Sequence, residues 1–181
     1  DGDPGVHFAY RHGGVDFFFL DARYHRAPSS RPDGPGHTML GEKQLAWLQA
    51  GLAGSRAPFK VLVSGSGWND GNGAGGDSWA SYLHERNALF DFIRDRRIEG
   101  VVLISGDTHI GELNCIPWSA RGGYDLYELA SSPLAQKALT SALEHTPEIG
   151  LRPPYAGGSN VGLIDFDPGA ADPTLRFSLL D

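Results

Sequence analysis

The chain has 181 residues, 40% of them hydrophobic, and its 15 basic and 22 acidic residues give a net charge of −7. That length suits one domain with a real core, and the acidic balance argues against general binding to nucleic acid or an anionic membrane. The single cysteine, Cys115, excludes an intramolecular disulfide framework and a cysteine cage for zinc, and no apolar run approaches the roughly 20 residues of a membrane helix.

The opening Asp1-Gly2-Asp3-Pro4-Gly5 has no initiator methionine and no charged-then-apolar leader, so it reads as an internal start. Val6 to Tyr10 and Val15 to Leu20 are aromatic and β-branched runs flanking Gly13-Gly14, the pattern of a hairpin. The consecutive Phe17-Phe18-Phe19-Leu20 predicts a strand covered on both faces. From Asp21 to Thr38, three prolines and two glycines predict a long surface loop. Leu45, Leu48 and Leu52 recur at helical spacing before Gly54, and Phe59 to Val63 then reads as a second buried strand.

Ser64 to Gly76 carries six glycines together with Trp68, Asn69, Asp70 and Asn72, and must be a loop. Leu83, Leu89, Phe90 and Ile93 give a second helix over about Ser81 to Arg96, followed by a third buried strand from Val101 to Ile104. Tyr124 to Leu129 reads as a strand, Leu134 to Leu143 as a short helix, and Asn160 to Phe166 with Thr174 to Leu179 as a closing hairpin. The order implies an α/β layered domain with partly parallel pairing.

In such sheets functional residues collect past the carboxyl ends of the strands. Asp21 and Arg23 follow the first buried strand, Trp68 to Asp70 the second, and Asp107 and His109 the third. On an extended backbone, Asp107 and His109 leave the same face, and a carboxylate with an imidazole suits iron, manganese, zinc or, through the carboxylate, calcium. Such metals want roughly four to six donors, so more ligands are required. Asp21, His25, Asn69, Asp70, Asp77 and His84 are candidates, although none has diagnostic spacing and each has an ordinary role as a cap, turn or solvated side chain.

Arg23 is placed to grip a phosphate with its paired donors, the alternative being a scaffold salt bridge between Asp21 and an arginine. Trp68, Trp79, Tyr82 and Trp118 read as core before pocket lining. Gly71-x-Gly73-x-x-Gly76 matches a dinucleotide fingerprint only because the loop is glycine-rich, and Ser66 lacks the flanking glycines of a nucleophile elbow.

Several segments in order resemble the alkaline phosphatase D-like (PhoD-like) metallophosphatases of the calcineurin-like metallophosphoesterase superfamily. They are Phe18 to Arg26, Met39 to Leu48, Asp77-Ser78-Trp79 with Glu85-Arg86, Ser105-Gly106-Asp107-Thr108-His109, and Tyr127 to Leu134. The resemblance implies a layered mixed β-sheet sandwich flanked by helices. It also implies hydrolysis of phosphate mono- or diesters at a two-metal centre, with iron and calcium as candidate ions and a small phosphorylated substrate. Asp107 and His109 would each contact a metal and Arg23 the substrate.

The family's earlier metal motifs are missing here. So is its histidine after the second strand, and Ala80 stands where relatives often carry aspartate. Residues 1–181 are therefore expected to form a single partial domain, the C-terminal part of a metallophosphoesterase whose N-terminal half supplies the other ligands. An extracytoplasmic location follows from the resemblance only. The alternative from another class is a truncated or degenerate phosphoesterase fold that binds without turning over substrate.

Overall fold

The computed structural model describes residues 5–71, 73–145 and 150–181, so the Asp1 to Pro4 opening and Asn72 lie outside the described residues. Strands β1 (Phe8–His12) and β2 (Val15–Phe19) form the expected hairpin. Gly13 and Gly14 both take positive φ, 55° and 82°, as a tight two-residue hairpin turn requires.

Helix α1 (Glu42–Gly54), strand β3 (Phe59–Val63), helix α2 (Leu83–Asp95) and strand β4 (Val101–Ser105) follow as the spacing predicts. Next come β5 (Glu112–Ile116), β6 (Leu126–Ala130), β7 (Val161–Asp167) and β8 (Thr174–Leu180). The first six strands form one sheet in the order β1-β2-β3-β4-β6-β5, and β7 with β8 forms a second. Within the large sheet β2, β3, β4 and β6 run parallel, while β1 and β5 pair antiparallel at its two edges.

Register defines the faces. Phe18, Leu62, Leu103, Glu128 and Asn114 are aligned across five strands and share one face. Both helices cover that face. Phe18 meets α1, where a Cβ on Gly51 would lie 2.5 Å from its ring, so glycine allows the close approach of helix to sheet. Leu48 and Leu52 of α1 and Leu89, Phe90 and Ile93 of α2 join this core, each contributing roughly 1.5–3 kcal/mol by burial.

On the opposite face Phe17 and Phe59 pack against Phe166 of β7, with ring centroids 6.2 and 5.3 Å apart. The protein is thus layered as helices, mixed sheet and hairpin. Trp68, Trp79 and Tyr82 are fully buried and Trp118 nearly so, which makes them core. The Trp68 and Trp79 rings stack at 4.6 Å.

Two expectations fail. Leu134 to Leu143 is not a helix: only Thr140–His145 forms a 3-10 turn, and Leu134, Leu139 and Leu143 are all exposed, leaving no apolar face to bury. Strand β5 was not anticipated. Its inward residues are Glu112, Asn114 and Ile116, while Leu113 and Cys115 are half-buried on the other face, so hydrophobicity along the strand nearly inverts burial.

Candidate functional site

Because four neighbouring strands are parallel, their carboxyl ends lie on one edge of the sheet. The segments Asp21–Arg26, Ser64–Gly71, Gly106–His109 and Ser131–Pro133 all leave from that edge.

The backbone after β4 is not extended, contrary to the simplest expectation. The Thr108 amide donates to the Gly106 carbonyl at 2.9 Å, and Asp107 and His109 take left-handed φ values of 75° and 60°. Gly106 is not the left-handed residue; the strain falls on the two candidate ligands, at a cost of order 1–3 kcal/mol each. It is held from outside: the His109 amide donates to Ser132 Oγ at 2.8 Å.

His109 Nδ1 lies 3.0 Å from the Lys137 carbonyl oxygen, which can only accept, so Nδ1 carries a proton and, in the neutral ring, Nε2 presents the lone pair. This is the outer-shell arrangement that orients metal-binding histidines. Asp107 is exposed and makes no hydrogen bond or ion pair among the described residues. The pair therefore suits a metal in donor type and availability. Among the described residues, no group of three or more His, Cys, Asp or Glu side chains is arranged to hold an ion.

The other candidate ligands are engaged elsewhere or apart. The buried Asp21 carboxylate accepts from the amides of Val6, Arg23 and Tyr24, and Gln44 bonds the Asp21 backbone at both its N–H and C=O. Those amides hold the Asp21 carboxyl below the usual range despite its burial. Arg23 does not pair with Asp21. Its Nη2 meets Asp77 at 2.7 Å, with Arg26 farther from the same carboxylate at 3.9 Å. Both partners of the Arg23–Asp77 pair are substantially exposed, so it is worth about 0–1 kcal/mol and exchanges easily for another anion.

Asn69 is buried, bonding Glu128 and the Gly71 amide. His84 is exposed, and its amide, not its ring, bonds Asp33. Asp70 is exposed and His25 half-buried. Glu85 accepts from the Thr38 hydroxyl and the Met39 and Leu40 amides, tying α2 to the start of α1.

Two acids on the same edge escaped the sequence reading. Glu128 is fully buried among neutral donors, and Glu112 lines a cavity of about 360 Å³ with Asn114, Leu151 and Pro153. No local signal marked them, because a carboxylate in a strand ordinarily faces water. Burial, followed by the nearby Glu128 charge, pushes the Glu112 carboxyl up to about 7.

Native Glu112 thus keeps its proton at a pH where the unfolded chain has lost it. Its contribution to stability is full below about pH 4.5 and is lost as pH rises through 7, a change of about 3 kcal/mol. Glu112→Gln, neutral throughout, is expected to show little of this decline between pH 5 and 8 in urea unfolding. Parallel pH profiles for the two proteins would contradict it.

A six-stranded mixed sheet with helices on one face and strand-end loops gathered at one edge places the chain among layered α/β proteins. The chain belongs to the PhoD-like phosphatase family, whose model matches residues 1–153. It is similar to alkaline phosphatase D of Bacillus subtilis (strain 168), 32% identical over 120 residues that cover 57% of this chain and 20% of that protein. It is also similar in fold to the solved "Structure of PhoD", with a TM-score of 0.69 at 18% identity, covering 96% of this chain and 41% of that one. The chain therefore spans about a fifth of the curated relative's length.

Proposed function

We propose that this chain supplies the C-terminal part of the catalytic domain of a metal-dependent phosphoesterase that hydrolyses phosphate mono- or diesters. The observation that carries the reading is the Asp107–His109 loop, with its left-handed backbone and an imidazole whose Nε2 is left available by the Lys137 carbonyl. Asp107 and His109 would hold metal in a two-metal centre, for which iron and calcium are the candidate ions. When bound, such ions supply Lewis-acid stabilisation of phosphoryl charge and lower the pKa of water.

The residues of this chain have separate tasks. Ser132 and the Lys137 carbonyl orient His109. Arg23 binds substrate phosphate by exchanging Asp77 for a phosphoryl oxygen, a trade its exposure permits. The remaining metal ligands come from the part of the enzyme N-terminal to this chain. No helix among the described residues is long and apolar enough to cross a membrane. An extracytoplasmic location is proposed on the family resemblance.

The second reading, a non-catalytic binding domain, is favoured for the chain alone by the absence of a third clustered ligand among the described residues. Metal analysis coupled to hydrolysis of a chromogenic phosphodiester separates the two, using this chain and a longer protein that restores the preceding segment. Stoichiometric metal with turnover that Asp107→Ala abolishes is the expected result for the longer protein. A folded longer protein that takes up no metal would sink the phosphoesterase reading.

A further inference from the structure

We infer that Glu128 is a positioning residue, holding the Gly67–Asn69 and Gly106–His109 loops at a fixed separation across the crevice; the inference rests on the metal-site reading above. Glu128 occupies a place in the sheet where its register partners Leu103, Leu62 and Phe18 are apolar core. A lone buried carboxylate there is costly unless every lone pair is used.

Here they are used. Oε1 accepts from the Trp68 amide at 2.7 Å and from Ser105 Oγ at 2.6 Å. Oε2 accepts from the Asn69 amide at 3.2 Å, Asn69 Nδ2 at 2.9 Å and Asn114 Nδ2 at 3.2 Å. Among the described residues no cation forms an ion pair with it. One carboxylate thus binds the loop after β3, the last residue of β4 and the middle of β5.

The same loop is gripped from its other side. Arg86, almost fully buried on α2, donates through Nη1 to the Trp68 carbonyl at 2.6 Å, so the backbone N–H and C=O of Trp68 are held by buried groups of opposite charge. Trp68 Nε1 donates to the Ile104 carbonyl at 3.2 Å, tying the loop directly to β4. Ser105 immediately precedes the Gly106-Asp107 turn. A Cβ placed on Gly67 would lie 3.7 Å from Glu128 Oε1 and 4.0 Å from the Thr108 methyl, so the two loops run close together over the carboxylate.

Asn69 spends its side chain on Glu128 and the Gly71 amide, which makes it a strut of this assembly rather than a ligand in waiting. Five donors bond Glu128, and an amide in its place would turn an NH2 group toward some of them.

The test uses the longer protein that restores the preceding segment and compares wild type, Glu128→Gln and a packing control, Leu126→Ala on the same strand, by residue-resolved amide exchange and by Mn²⁺ titration. Glu128→Gln is expected to accelerate exchange at Trp68, Asn69, Thr108 and His109 by about tenfold or more, with the interior amides of β3 unchanged. Mn²⁺ affinity should fall by about tenfold as well. Leu126→Ala should change neither quantity selectively. Loop exchange within about twofold of wild type in Glu128→Gln, or the same loop effect in Leu126→Ala, overturns the inference.

If wild type takes up no Mn²⁺ while Glu128→Gln still loosens both loops, the metal reading fails and the positioning role stands. Should Glu128→Gln not fold, Ser105→Ala removes a single donor and is expected to loosen the same amides to a smaller extent. No change there also overturns the inference.

Discussion

In an enzyme that carries the rest of the metal site, His109→Ala is expected to reduce turnover of a chromogenic phosphodiester by roughly a thousandfold, whereas Ser132→Ala reduces metal affinity by only about 10–100-fold. The difference follows from where each side chain acts. His109 offers the Nε2 lone pair itself, and losing a donor forfeits several kcal/mol of charge stabilisation, each 1.36 kcal/mol being about tenfold in rate.

Ser132 acts one layer out. Its Oγ accepts the His109 amide at 2.8 Å, and without it that amide is left unpaired on a backbone at φ 60°. Metal content by elemental analysis and steady-state rates on the same samples check both variants. Turnover within about threefold of wild type in His109→Ala would remove His109 from the site.

Gly100→Ala is expected to destabilise the fold by about 4 kcal/mol or more, lowering the melting temperature by roughly 10 °C. Gly100 sits at φ 69°, and an added Cβ would fall 1.8 Å from the Pro58 carbonyl oxygen, with neighbouring Pro58 and Phe59 backbone atoms also close. Backbone cannot rotate aside as a side chain can. The nearest relief is to part the two chains, and that breaks the Lys60 amide's bond to the Gly100 carbonyl at 2.9 Å, where β3 and β4 begin to pair. Both strands run directly into the loops of the crevice, so loss at this end propagates to the other. Thermal unfolding measures the effect; a variant melting within about 3 °C of wild type would show that the two segments can separate cheaply.

The central strands were readable because β2, β3 and β4 carry apolar side chains on successive positions, which only a sheet covered on both faces requires. α1 and α2 were readable from their spaced apolar residues, and the hairpins from Gly13-Gly14 and from the paired runs Asn160 to Phe166 and Thr174 to Leu179. Strand β5 hid because its buried side holds Glu112 and Asn114, so reading apolar residues as inward faces the strand the wrong way. Glu128 hid for the same reason. A carboxylate in a strand ordinarily points to water, and only the long-range approach of Trp68, Asn69 and Ser105 makes it an interior group.

In the site, position past a strand end identified Asp107 and His109 as candidates, but the left-handed turn between strand and imidazole was not fixed by residue type, because even Asp and His, which adopt positive φ more often than most, usually do not. Arg23 was recognised as a phosphate-binding candidate, yet its partner Asp77 lies more than fifty residues along the chain and nothing local announces it.

The glycine-rich span after β3 separates two jobs along a few residues. Trp68 and Asn69 are anchored on every side, while Gly65 and Gly76 have open space where a Cβ would go and backbones outside the left-handed region. A Cβ can therefore be added at those two positions without meeting the packed layer beneath. That makes these two glycines the positions in the span where an engineer can add a methyl group while leaving the scaffold untouched.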